Sequence, residues 1–157
     1  MMIRKKNLAA ADYPLDVKLG QMLMVGFRGA TVGECQAFLD RVGRYHVGGV
    51  WLTDNESPMG VTLGNIRSPG QLKEIVSELQ RVAVIPLFVA IDAEGGQVIR
   101  IKEKYGFPAF LSPQTLGDRN DLAFTHEQAA LLASTLADAG INLNLAPVVD
   151  LNTNPAN

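Results

Sequence analysis

The sequence predicts an α/β fold in which parallel strands alternate with helices, and three observations carry the prediction. Four short apolar runs recur along the chain, the segments between them show helical periodicity with cap signals, and one strand-to-helix connection is long and rich in glycine and proline. A chain of 157 residues with 47% hydrophobic and 19% charged residues suits one globular domain with a real core.

The runs are MLMVGF (residues 22–27), VGGVWL (47–52), IPLFVAI (85–91) and INLNLAPVV (141–149). Most are apolar throughout rather than alternating, as strands of a parallel sheet covered on both faces should be. Within two of them, Trp51 and Phe88 are expected to be core aromatics rather than sugar-stacking platforms. The first helix is predicted to open at Thr31, with Glu34 completing a capping box, and to place Cys35, Phe38, Leu39 and Val42 on one stripe before Gly43. The second has Ser68 as N-cap, Pro69 at the first helical position and Gln71 closing the box, followed by Leu72, Ile75, Val76 and Leu79 on one face. The third is predicted from about Thr125 to Ala139, stopped by Gly140. Between the third strand and this helix, residues 92–121 hold Gly95, Gly96, Gly106, Pro108, Pro113 and Gly117, and long connections at strand carboxyl ends are where such folds keep their sites.

Strand, helix, strand in this order fits two architectures, a doubly wound sheet or part of a barrel. Both place function at the carboxyl ends of the strands, where Thr53, Asp92 and Asp150 fall. A carboxylate just past a strand can accept hydrogen bonds from ligand hydroxyls, and two facing carboxylates can act as acid and base, whereas the bland alternative is that they cap helices or pin loops. Around Asp92 the chain reads IDAEGGQVIR: Gly95 and Gly96 admit backbone shapes that a Cβ would block, and Arg100 can brace Asp92 or fork onto a hydroxylated ligand. Neither G-x-G-x-x-G nor G-x-x-x-x-G-K-[ST] follows any strand, which argues against a nucleotide-binding doubly wound domain.

A formal net charge of -2 offers no electrostatic footprint for nucleic acid, and no apolar run approaches the roughly 18 residues of a membrane span, so neither is expected as a partner. One cysteine, Cys35, makes no internal disulfide, and no Cys/His spacing suggests a metal. Residues 1–14 read as a flexible leader without the apolar core of a signal peptide, so the cytoplasm is the default location, with secretion or the periplasm left for a processed N-terminus. His46 and His126 are expected to be structural or solvated.

KLGQMLMVGF, VGGVWLT, PLFVAIDAEGGQVIR and AGINLNLAPVVDLNTNP occur in the order and approximate spacing of family 3 glycoside hydrolases, and residues 18–157 resemble most the bacterial β-N-acetylhexosaminidases of that family. The resemblance implies the N-terminal half, about four βα units, of a TIM (β/α)8 barrel over residues 15–157, truncated after the fourth strand. It implies a parent enzyme that hydrolyses β-linked nonreducing-end sugars with retention, most naturally β-N-acetylglucosaminides such as muropeptide-derived sugars in cell-wall recycling, with no cofactor and no metal. Asp92 matches the family's aspartate that binds sugar hydroxyls and Arg100 the arginine beside it, while Glu94, Asp150 and Asn152 are candidates for site support. The family's acid/base and nucleophile have no counterpart here and are expected beyond Asn157, so the 157 residues alone are expected to be inactive. β-Glucosidase or xylosidase activity, and a noncatalytic half-barrel that binds sugar or a protein, stay open as alternatives. A half-barrel should also self-associate through its unpaired first and fourth strands.

Overall fold

The computed structural model describes residues 9–54, 64–150 and 153. After a short 3-10 turn at Ala10–Asp12, the elements run α1 (Leu15–Gln21), β1 (Met24–Gly26), α2 (Val32–Tyr45), β2 (Gly49–Leu52), α3 (Pro69–Val82), β3 (Phe88–Ile91), β4 (Ala93–Gly95), β5 (Val98–Ile99), α4 (Pro113–Arg119), α5 (Leu122–Asp138) and β6 (Leu143–Asn144). Strands β1, β2, β3 and β6 form one parallel sheet in that order, so each neighbour in space is also the next sheet strand in sequence. That is the winding of a barrel wall; a doubly wound sheet would reverse direction from a central strand.

The register explains the layering. Val50 lies beside Val89 and Leu52 beside Ile91, and all four are fully buried with Leu72, Ile75, Val76 and Leu79 of α3 and with Cys35, Leu39 and Val42 of α2. Each such side chain taken from water contributes about 1.5–3 kcal/mol. The helical stripes are those read from the sequence, and the Ser68–Gln71 capping box is complete, with Gln71 N donating to Ser68 Oγ and Ser68 N to Gln71 Oε1. At α2 the box is only half made. Thr31 Oγ1 accepts from Glu34 N, but the Glu34 carboxylate takes the amide of Ala30 at 2.7 Å instead of that of Thr31. The helix also continues past Gly43 to Tyr45 and stops where His46 turns left-handed.

The other face of the sheet is not covered by the described residues, as a half-barrel requires. Met24, Trp51 and Phe88 belong to it and are 42%, 36% and 60% exposed, so Trp51 and Phe88 are not core aromatics among the described residues. Their residue type is that of a core, but the described helices pack on the opposite face alone, and this inner face is the one a barrel would enclose.

Helix α5 begins three residues before the expected Thr125, because Asp121 is the cap: its Oδ1 accepts from Phe124 N at 3.0 Å. It ends as expected, with Gly140 left-handed at φ 80° and amides 140 and 141 returning to the carbonyls of Ala137 and Leu136. β6 is short, and asparagine side chains add to its backbone bonds, in which Asn142 N donates to Val89 O and Leu145 N to Ile91 O. Asn142 accepts from Val89 N at 2.7 Å and donates to Leu87 O at 2.9 Å, and Asn144 accepts from Ala93 N at 3.1 Å and donates to Ala93 O at 3.0 Å. No helix among the described residues is long and apolar enough to cross a membrane.

Candidate functional site

Asp92 is the residue after β3, at the carboxyl end of the sheet. The chain then folds at once into the antiparallel hairpin β4–β5, with Ala93 opposite Ile99 and the amide of Arg100 donating to the carbonyl of Asp92 at 3.1 Å. This is the physical meaning of their eight-residue spacing: the hairpin carries Arg100 back beside Asp92. The turn depends on Gly95, whose φ of 95° and whose missing Cβ leave room for the carbonyl of Leu111, so the 108–112 segment lies directly against the hairpin.

Arg100 donates from Nη2 at 2.9 Å and from Nε at 3.3 Å, both to Oδ2 of Asp92. The pair is partly solvated, with side chains 24% and 19% exposed. Charged hydrogen bonds of this kind are worth about 1.5–3 kcal/mol each. Because both donors meet one oxygen, Oδ1 of Asp92 accepts no hydrogen bond among the described residues and remains an acceptor for a ligand hydroxyl.

The pair is part of a larger cluster. Asp54, two residues past β2, is fully buried, with Arg100 Nη1 at 3.7 Å from its Oδ1 and Lys102 Nζ at 2.8 Å from its Oδ2. The sequence marks Thr53 at this strand end but not Asp54, although the rule of a carboxylate just beyond a strand selects it as well. Asn65, the other fully buried polar residue among those described, accepts from Thr53 N and donates to the carbonyls of Phe27 and Gly29, tying the ends of β1 and β2 together.

The remaining candidates fall apart from this cluster. Glu94 is half-buried on β4 and lines a groove of about 660 Å3 with Phe110, Leu116, Leu132, Leu136 and Asn144, a groove that neither Asp92 nor Arg100 touches. Asp150 is exposed and engages no hydrogen bond or ion pair among the described residues. Asn152 lies outside the described residues. His46 sits before the amino end of β2, at the opposite end of the sheet from Asp92, and His126 is exposed in the second turn of α5. Among the described residues no three His, Cys, Asp or Glu side chains converge to hold a metal ion. Burial pushes the Cys35 thiol up, with the Glu34 charge adding to it, so it is a packed side chain rather than a nucleophile.

The chain has relatives of known kind. The description "Glycosyl hydrolase family 3 N terminal domain" matches residues 14–157. A protein named Beta-hexosaminidase A from Pseudoalteromonas piscicida is 31% identical, over 99% of this chain and 28% of its own length. A Beta-hexosaminidase from Xylella fastidiosa (strain M23) is 34% identical, over 83% of this chain and 37% of its own. Among solved structures, a family 3 beta-N-acetylglucosaminidase from Paenibacillus sp. str. FPU-7 superposes with a TM-score of 0.79 at 32% identity, over 92% of this chain and 26% of that one. NagZ from Neisseria gonorrhoeae in complex with N-trifluoroacetyl-D-glucosamine gives a TM-score of 0.61 at 30% identity, over 82% and 36%. The chain thus spans between 26% and 37% of the lengths of these four proteins.

Proposed function

We propose, from the premise that this chain belongs to glycosyl hydrolase family 3, that it supplies the sugar-binding wall of a retaining β-N-acetylhexosaminidase acting on β-linked nonreducing-end N-acetylglucosaminides. The observation that carries the reading is the Asp92–Arg100 pair at the carboxyl end of β3, with one carboxylate oxygen clamped and the other open. A sugar hydroxyl donates to the open Oδ1, and the clamped Oδ2 keeps the carboxylate from swinging as the ring distorts toward the transition state. The names of the relatives support the hexosaminidase branch over glucosidase or xylosidase chemistry. Sugars released in cell-wall recycling are the substrate class we assign.

None of the 157 residues is assigned as nucleophile or acid/base, and removing such groups normally abolishes many orders of magnitude of rate. The chain by itself is therefore expected to bind N-acetylglucosamine weakly and to hydrolyse nothing. The test is a titration of the isotope-labelled chain with N-acetylglucosamine, run beside a chromogenic β-N-acetylglucosaminide assay. Shifts confined to Asp92, Arg100 and the hairpin, lost in Asp92→Asn, support the reading. No shift there, or turnover that survives repurification and disappears in Asp92→Ala, defeats it.

A further inference from the structure

We propose that Asp54 is a positioning residue for this site: its buried carboxylate holds the far side of the Arg100 guanidinium, keeping that group on one oxygen of Asp92 and the other oxygen available. The proposal rests on reading Asp92 and Arg100 as the sugar-binding pair.

A carboxylate with no exposed surface is costly to keep unless something compensates it. Among the described residues backbone amides do not do so, since neither oxygen of Asp54 receives a well-formed hydrogen bond there, and that separates it from the capping aspartate Asp121. What faces it is charge: Arg100 Nη1 at 3.7 Å and Lys102 Nζ at 2.8 Å. The topology makes this convergence. β2 and β3 are parallel neighbours with Leu52 beside Ile91, so the chain two residues past β2 leaves the sheet beside the start of the β4–β5 hairpin. The two acids come from adjacent strand ends, and the two cations follow β5 at positions 100 and 102, where the chain bends out of the hairpin beside them.

The arrangement has a chemical consequence. Arg100 lies between two acids, with Nη1 toward Asp54 and Nη2 and Nε on Asp92, so its plane is held from both sides. Without Asp54, Asp92 alone among the described acids holds the guanidinium, which can then turn on that carboxylate. A guanidinium that turns can carry an Nη onto Oδ1, the oxygen a hydroxyl needs.

The readout is the rotation of the Arg100 guanidinium about its Nε–Cζ bond, followed by nuclear magnetic resonance in the sugar-free chain, together with the N-acetylglucosamine titration. In the unaltered chain Arg100 is expected to rotate at least about tenfold more slowly than the exposed Arg67. In Asp54→Asn, with the amide spectrum confirming the fold, rotation should speed up about tenfold, and N-acetylglucosamine should bind about tenfold more weakly. Slow rotation that persists in Asp54→Asn, or fast rotation in the unaltered chain, overturns the proposal. Should Asp54→Asn not fold, Lys102→Gln decides: Arg100 keeps Asp54 and must stay slow, and acceleration to the Arg67 rate overturns the proposal. If the unaltered chain binds no sugar, the functional reading fails by itself, while the rotation data still judge whether Asp54 holds Arg100.

Discussion

Asn144 connects the fold to the site, and replacing it should damage both. Its amide accepts from Ala93 N at 3.1 Å and donates to Ala93 O at 3.0 Å, and Ala93 is fully buried and directly follows Asp92. Asn144→Leu keeps the volume, excludes water and leaves two buried backbone groups without this partner. Each unsatisfied group costs about 1–3 kcal/mol, and since position 144 is itself half-buried the lower half of the range applies, giving about 2–4 kcal/mol in all. With a urea slope near 2 kcal/mol/M, the unfolding midpoint should fall by about 1–2 M. The control is Asn142→Leu, which loses the corresponding bonds to Val89 N and Leu87 O from an exposed position two residues earlier. It should cost less, because water reaches this exposed position, and leave the Arg100 side-chain resonances in place, whereas Asn144→Leu should move them. A midpoint shift below about 0.25 M for Asn144→Leu would show that water replaces the amide and that the side chain is not part of the sheet's bonding.

Two other predictions concern charge and surface. Glu34 accepts from Ala30 N and pairs with Arg67, which hold its carboxyl below the ordinary value of 4.5. Because the folded pKa is depressed, the stabilisation is present above pH 4.5 and is lost as pH falls through the lower folded value. Melting temperature should therefore drop more steeply in that acid window for the unaltered chain than for Glu34→Gln, and parallel curves would remove Glu34 from the account. The exposed inner face, with Met24, Trp51 and Phe88, should make the chain dimerise or assemble further at micromolar concentration. Phe88→Lys should shift light scattering toward the monomer, and a monomeric unaltered chain that binds no apolar dye would contradict the expectation.

How much the sequence discloses depends on how local the physics is. Helix α3 is legible to the residue because Ser68, Pro69 and Gln71 act within one turn and its buried stripe repeats at helical spacing. The start of α5 is not, because Asp121 acts as its cap while the apolar pattern becomes regular only later. The hairpin β4–β5 has strands of three and two residues, too short for any period to register, and α1 and α4 are seven residues each. Asp92 and Arg100 stand out as residue types at a strand end, but their contact is made by the hairpin that local pattern does not reveal. Asp54 was within reach of the strand-end rule that selected Asp92; what hides it is that burial of a charge can be judged only when its two cations are seen.

Trp51 and Phe88 expose a more general limit. An uninterrupted apolar strand states that both faces avoid water, and a doubly wound sheet and a barrel wall satisfy that demand differently, one with helices on each side and the other with helices outside and strands within. Residue types are alike in both, so strand order has to decide. Here the order β1, β2, β3, β6 places every described helix packed in the core against the Val50, Leu52, Val89 and Ile91 face. The aromatic face is left for the barrel interior, and Asp92 follows its strand by one residue. The apolar inner layer and the polar rim above it are then successive levels of one structure. Burying Trp51 and Phe88 inside a barrel would fix the height and tilt at which β2 and β3 deliver Asp54 and Asp92, so packing below the rim sets the geometry of the charges on it.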